Sequence, residues 1–460
     1  MRPLEPLFLA AEAAALGALA LPGTSRGRWP LVLALLAVAA AGVHGAVEGP
    51  RWQLAPAYAL AATLLIAAAA RLRPSRAAVA ISAVPLILSA ALAAAFPVFR
   101  LPAPTGPWAI GTRAFHWVDE ARSETFTPDA ADRREVMVQV WYPARPAPGA
   151  RTAPYVEDGR TLASLARLLR LPGFMLGHLD LVRTHAVPDA PAAGGPWPVL
   201  VFAHGRGGFR QHSTSLIEQL VSHGYAVAAV DHPFAASGVL FPDGRIVAMD
   251  DRMRERPFVA AHLPDLAADA AFALDRLAEL NRRDARLAGR LDLDRAGVFG
   301  LSLGGETAAE SCRADARWKA CLMIDVWMPP AVAREGLAPP ALWLSRDAAT
   351  MRAEGWRAAD IAETQDTMRA AFEASAGARY LVLAPGLYHQ DFSDAPLMTP
   401  LARPLGFSGP VGAERARAVV DGVTLAFFDR HLKGLPAPAL DRPAAGLVVE
   451  RRSGSVRDTR

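Results

Sequence analysis

Hydrophobic and polar positions divide this 460-residue chain into two parts. Through residue 98, apolar side chains run in four nearly unbroken stretches, 4–21, 30–47, 52–70 and 77–98. Each is close to the ~20 residues that a helix needs to cross ~30 Å of hydrocarbon. Helices of a soluble domain would carry a polar stripe, and the fourth stretch has almost none. A secretory signal would account for the first stretch alone. The pattern therefore predicts a four-helix transmembrane region over residues 1–100. Beyond residue 102 the pattern changes. Loops rich in Pro, Gly and Asp separate short apolar runs at 136–142, 198–203, 225–231, 296–300, 321–325, 341–344 and 380–384. Helical periodicity lies between them, as at 265–280, where Leu266, Ala270, Ala273, Leu277 and Leu280 share one face. Strands alternating with helices predict an α/β domain over 101–460, a mostly parallel sheet with helices on both faces. A leucine-rich segment at about 158–190 reads as a helical insertion, strongest over 161–181, suited to a lid or to a packed helical layer.

Charge separates the same two parts. Residues 1–100 hold eight Arg, three Glu and no Lys or Asp, a net of +5, while the remainder holds 41 basic and 42 acidic side chains. A near-neutral remainder argues against a nucleic-acid-binding face. Arginine also orients the spans. Arg26 and Arg28 fall in the first loop and Arg71, Arg73 and Arg76 in the third, against Arg2, Arg100 and the balanced Glu48/Arg51 loop on the other side. The arginine-rich side is expected in the cytoplasm. The second part then lies outside it, in the periplasm if the membrane is a bacterial inner membrane. Glu12 and His44 fall within spans, where ionisable groups are functional candidates. A neutral Glu facing a neighbouring helix and a His at the membrane interface account for both. Cys312 and Cys321 lie in the second part and could pair in an oxidising compartment. Without a known Cα separation, two separate buried thiols are the simpler expectation.

The strongest chemical signal is Gly300-Leu301-Ser302-Leu303-Gly304-Gly305, between an apolar strand and a helical stretch. G-x-S-x-G in that setting is a nucleophile elbow. Small residues at Gly300, Gly304 and Gly305 leave room for a sharp turn that lifts the Ser302 hydroxyl above the sheet. A serine hydroxyl needs a base, and the chain order of this arrangement is Ser, acid, His. Only His389 and His431 follow Ser302. His389 falls in the loop after the strand at 380–384, where such a base belongs. His431 sits late in a helical stretch beside Arg430 and Lys433 and reads as surface. For the acid, Asp325 ends one strand and Asp347 follows the next, and pattern leaves both open. The oxyanion needs preorganised donors: the Leu303 amide, and an amide of the Gly-rich loop 204–208. No P-loop and no G-x-G-x-x-G is present. Neither an HExxH motif nor Cys/His ligand spacing is present, so no metal or other cofactor is expected.

Four segments carry a family resemblance. Val201-Phe202-Ala203-His204-Gly205-Arg206-Gly207-Gly208-Phe209-Arg210, with the later Ser222–His232 run, is one. The others are Gly300–Gly305, Leu322-Met323-Ile324-Asp325-Val326-Trp327-Met328-Pro329 and Tyr388-His389-Gln390-Asp391-Phe392-Ser393-Asp394. Together they resemble the platelet-activating-factor acetylhydrolase family, in its plasma and intracellular type II branch, over about residues 135–435. The resemblance implies an α/β-hydrolase fold with Ser302 as nucleophile, Asp325 as acid and His389 as base. It implies oxyanion donors at Leu303 and Arg206, the latter where mammalian members carry an apolar residue. Phe209 and Trp327, within these segments, are candidate pocket residues. The implied reaction is hydrolysis of short or oxidised acyl esters of phospholipid, with membrane lipid as surroundings. Rival readings are a non-lipid esterase, a polyester hydrolase or a peptidase on the same residues, and an inactive membrane sensor or scaffold. Oligomeric state is not legible.

Overall fold

The computed structural model describes residues 1–21 and 27–454, so Arg26 lies outside the described residues. The chain forms two units, Met1–Phe99 with Met398–Leu401, and Arg100–Leu397 with Ala402–Arg460.

The first unit holds α1 (Leu4–Ala20), α2 (Trp29–Val47), α3 (Ala55–Ala69, extended by a 3-10 turn at Trp52–Leu54) and α4 (Arg76–Ala95). Alanine and leucine dominate all four, and both are strong helix formers. Pro30 and Pro56 sit in the first turns of α2 and α3, where a missing N–H leaves no bond unmade. Ser75 caps α4 by accepting from the Ala78 amide. Among the described residues three helices are long and apolar enough to cross a membrane: Trp29–Val47, Trp52–Ala69 and Arg76–Ala95. The expected first span is shorter, at 17 residues, and it carries Glu5 and Glu12. Large apolar side chains face outward, among them Leu35, Leu36 and Val43 of α2 and Ile81, Val84 and Ile87 of α4. Polar groups turn inward: Glu5, Glu12, His44, Gln53 and Ser89 are buried. An apolar exterior with the few polar groups turned inward among apolar side chains is the reverse of a soluble bundle and suits lipid as solvent. His44 is fully buried, with Nδ1 2.9 Å from the Tyr58 hydroxyl. Glu5, His44 and Glu48 bring ligand-type atoms within 4.8 Å of one another. Arg2 and Arg51 already neutralise that cluster, Arg2 Nε at 2.8 Å and Arg51 Nη2 at 2.5 Å from Glu5.

The second unit is an α/β-hydrolase fold. Its strands are β1 (Ala109–Ser123), β2 (Arg133–Ala144), β3 (Ala186–Pro188), β4 (Trp197–Ala203), β5 (Ala226–Asp231), β6 (Gly238–Leu240), β7 (Ile246–Ala248), β8 (Leu291–Leu301), β9 (Trp318–Ile324), β10 (Ala341–Ser345), β11 (Arg379–Leu383) and β12 (Val448–Arg452). Ten form one sheet in the order β12-β11-β10-β9-β8-β4-β5-β2-β1-β3, and β6 with β7 makes a separate ribbon. From β11 through β5 neighbouring strands run parallel, while β12 and β2 attach antiparallel. The helices are α5 (Thr161–Leu168), α6 (Thr214–Ser222), α7 (Arg256–Arg283), α8 (Leu303–Ala314), α9 (Pro330–Glu335), α10 (Ala348–Ala353), α11 (Ala358–Ala374) and α12 (Ala413–Lys433). Alternation along a strand sends successive side chains to opposite faces. Val199 and Val201 of β4 join a core with α7, α8 and α11. Leu200 and Phe202 join a core with α6 and α12.

Two expectations are corrected. The insertion is not one helix over 161–181. It stops at Leu168 and resumes as a 3-10 turn, Gly177–Leu181, because Pro172 lacks the N–H that a continuing helix needs. Cys312 of α8 and Cys321 of β9 are not separate thiols. They form a disulfide, with Cα atoms 6.4 Å apart.

Candidate active site

Ser302 stands between β8 and α8 at φ +57°. A non-glycine residue in that region stores about 1–3 kcal/mol of strain, and close packing holds it there. A Cβ at Gly300 would collide with the Gly304 carbonyl, and one at Gly304 with the Ala203 carbonyl. One at Gly305 would come within 2.6 Å of Val326. The strand, the turn and the helix can approach this closely only with hydrogen at those positions. The Ser302 amide bonds Ile324 O at 2.8 Å, and its carbonyl accepts from Gly305 N at 2.7 Å.

Asp325 follows β9 and His389 follows β11. His389 Nδ1 lies 2.6 Å from Asp325 Oδ2. Asp325 is fully buried and also accepts from Ser345 Oγ at 2.8 Å and from Arg346 Nε at 3.0 Å. Arg346 Nη2 lies 3.0 Å from its other oxygen. Burial alone would raise the Asp325 carboxyl. The Arg346 guanidinium and the His389 hydrogen bond outweigh burial and hold it well below the usual carboxylate range. Arg346 also pairs with Glu354, whose carboxylate accepts from the His389 amide at 3.2 Å. The Arg346 guanidinium lies 4.4 Å from the Trp356 ring, which faces His389. Asp347, the other acid that the sequence pattern left open, accepts from the Thr350 amide at 2.8 Å as the cap of α10. His431, read as surface, is half-buried, with Nε2 3.2 Å from the Tyr380 hydroxyl.

The loop after β4 closes against the elbow. Gly205 packs so tightly that an added Cβ would sit 3.3 Å from Ser302 Cβ. Gly207, at φ +67°, donates to Ala235 O, and Gly208 donates to Gly205 O. Among the described residues the Arg206 and Leu303 amides have no backbone acceptor. Beneath the loop, His204 Nδ1 lies 2.7 Å from Gly205 O, and its Nε2 accepts from the His232 amide at 3.2 Å. Burial, with His232 adding to it, pushes His204 down to about 4, so the ring is neutral and can make both bonds. His232 Nδ1 in turn meets Asp269, which Arg134 and Arg122 also hold.

Of the two candidate pocket residues, Phe209 is buried against Tyr155 and His212. It lines a cavity with Leu162 and Leu240 rather than with Ser302. Trp327 is half-buried and carries the Arg256 guanidinium 4.4 Å from its ring centre. Its side chain is among the groups acting on Glu306, in the first turn of α8. Burial pushes Glu306 up to about 8, despite nearby Arg206 and Arg256.

Sequence reasoning missed Arg346, Glu354, Glu306 and the His204–His232–Asp269 chain. Only His204, directly after a core strand and before a glycine, left a local trace.

Comparison with known proteins bears on this arrangement. The family model described as platelet-activating factor acetylhydrolase, isoform II, matches residues 93–240 and 277–436. A platelet-activating factor acetylhydrolase of Cavia porcellus is 23% identical over 265 residues, covering 52% of this chain and 58% of that protein. The match thus spans little more than half of that relative. The Gallus gallus protein of the same name is 21% identical, covering 73% of this chain and 84% of its own length. Among solved structures, a ferulic acid esterase from Streptomyces cinnamoneus superposes with a TM-score of 0.64 at 34% identity, covering 77% of this chain and 99% of that one. With the first matched segment taking in the loop after β4 and the second the elbow, the Asp325 strand and the His389 loop, the chain belongs to the platelet-activating factor acetylhydrolase, isoform II, family.

Proposed function

We propose that the chain is a serine hydrolase of carboxylic esters, acting on short or oxidised acyl chains of phospholipid. The observation that carries this reading is the 2.6 Å contact of His389 Nδ1 with Asp325, at the carboxyl end of the sheet that also presents Ser302. Ser302 Oγ attacks the ester carbonyl while His389 Nε2 takes its proton. Asp325 fixes the Nδ1–H tautomer and stabilises the imidazolium. The Leu303 and Arg206 amides receive the developing oxyanion, helped by the positive end of α8. His389 then protonates the leaving alcohol, and water, activated by the same ring, releases the acid. Ser302→Ala in the full chain is expected to abolish both turnover and labelling by a fluorophosphonate. Residual turnover near the parent rate would remove Ser302 from the reaction.

A second reading places an ester of ferulic acid in the site. Its support is the 34% identity to the Streptomyces esterase, above the 21–23% to the two acetylhydrolases. Acetylated glycerophospholipid and a ferulate ester, assayed side by side, separate the two. Trp29–Val47, Trp52–Ala69 and Arg76–Ala95 supply the membrane anchor, with the hydrolase outside the cytoplasm, in a bacterial inner membrane. The charge of the Arg28 and Arg71–Arg76 loops supports that side. A reporter active only outside the cytoplasm, fused after residue 100, is expected to be active, and a silent one inverts the orientation.

A further inference from the structure

Arg206 follows Gly205, whose backbone lies against Ser302. Its side chain reaches the 3-10 turn Asp251–Arg254, where Nη1 donates to Met253 O at 3.0 Å. That partner is neutral. Two further arginines act on the same place, and each has acidic partners: Arg254 with Asp251 at 3.4 Å, and Arg256 with Asp360 and Glu363. Among the described residues Arg206 has no carboxylate within ion-pair distance. Glu306 is close enough to be felt but is buried to 7% exposure. A carboxyl pushed up to about 8 is protonated at neutral pH and returns no negative charge. Met253, which anchors the guanidinium, belongs to an apolar cluster with Leu303, Phe126 and Leu263. An exposed guanidinium, pinned at one nitrogen and backed by apolar packing, therefore stands uncompensated one residue from the glycine that touches the nucleophile. Guanidinium is planar and matches carboxylate and phosphate through paired N–H groups, at low ordering cost when its position is already fixed.

We infer that Arg206 is an anion-recognising subsite of the ester site, pairing with a carboxylate or phosphate group carried by the substrate. The inference rests on the serine-esterase reading and narrows it to esters with an anionic substituent. A carboxylate would lie on the acyl chain and a phosphate on the alcohol portion, and one guanidinium takes either.

Two matched substrate pairs test this on the full chain in detergent. One pair is 4-nitrophenyl hexanoate and 4-nitrophenyl hydrogen adipate, equal in carbon count and differing in a terminal carboxylate. The other is an acetyl ester of glycerol and the same ester of glycerol 3-phosphate. The readout is the ratio of kcat/KM, anionic over neutral, within each pair. Arg206→Gln is expected to lower at least one ratio by about ten-fold, and Arg206→Lys to keep most of it, since a charged hydrogen bond is lost in the first and retained in the second. Raising salt from about 0.05 to about 0.5 M should lower the same ratio in the parent chain, as screening shortens to a few ångströms. A change in the adipate pair alone assigns the subsite to the acyl side, and in the glycerol pair alone to the alcohol side. Ratios unmoved by both substitution and salt overturn the inference and leave Arg206 as a staple to Met253. If Arg206→Gln loses all activity through misfolding, the salt dependence of the parent ratio decides alone. A parent chain that hydrolyses neither neutral ester and resists fluorophosphonate labelling would instead sink the esterase reading.

Discussion

Asp325, directly after β9, and Glu306, in the first turn of α8, are both buried carboxyls near an arginine. Desolvation is the largest influence on each, and it pushes both toward the neutral acid. Their outcomes nevertheless differ. Asp325 is held well below the usual carboxylate range, while Glu306 is pushed up to about 8. The difference is contact. Arg346 touches both oxygens of Asp325 at 3.0 Å, and Ser345 and His389 add two further hydrogen bonds. Arg206 donates to Met253 O instead, and among the described residues no cation lies within ion-pair distance of Glu306. A guanidinium in contact with the carboxylate, with hydrogen bonds added, offsets burial; one held on another partner does not. In this way one part of the site keeps a carboxylate beside His389, and the other keeps an arginine free of one.

Arg346→Met breaks the first half of that comparison and has the largest expected effect. Removing one partner of a buried ion pair leaves the other charge uncompensated, at about 3–5 kcal/mol. Here Asp325 and Glu354 both lose it. In the parent chain the depressed Asp325 carboxyl contributes stability that is present above its unfolded value and lost as pH falls through the folded one. Without Arg346, burial dominates and raises the folded value, so the sign reverses and stability falls as pH rises. Denaturant unfolding of the full chain should show the variant's deficit largest near neutral pH and shrinking toward pH ~4, where both carboxyls accept protons. A deficit independent of pH would mean that Arg346 acts by packing against Trp356 alone.

Much of this architecture was legible because of where the apolar runs lie. All seven runs became sheet strands, six of them in the parallel part, where a strand covered on both faces must be apolar along most of its length, and the seventh as the antiparallel β2. The strand β1 escaped notice. Only its first residues and Trp117 are buried, and Arg113, Asp119, Glu120 and Arg122 break its pattern. The edge strand β3 has only three residues, and β12 has two apolar residues, Val448 and Val449, ahead of Glu450, Arg451 and Arg452, so neither shows a period. Ser302 and His389 were readable because an elbow and a post-strand loop are local features. Arg346 was not, although it adjoins Asp347 in sequence. An arginine after a strand looks like surface until the fold brings Asp325 and Glu354 onto it. Glu306 resembled any acidic residue in a first helical turn, because its environment is made by Arg206, Trp327 and Arg256 from three distant segments.

Glu306→Gln tests the second half, with a smaller effect of opposite sign. A folded value near 8 against an ordinary 4.5 means that the fold prefers the protonated acid. That preference withdraws stability as pH rises from the unfolded value to the folded one, and nothing more is lost above it. Glutamine keeps the shape but does not titrate. The variant should therefore match the parent near pH 4.5 and exceed it progressively up to pH 8, by about 1–3 kcal/mol, with Arg206, Arg256 and Glu363 as the other charges acting on the group. Unfolding midpoints of parent and variant across that range measure the difference. Should glutamine destabilise the chain at neutral pH and not at pH 4.5, Glu306 is an ionised partner of Arg206. The guanidinium would then be compensated by its own protein, and the two sides of the elbow would be alike.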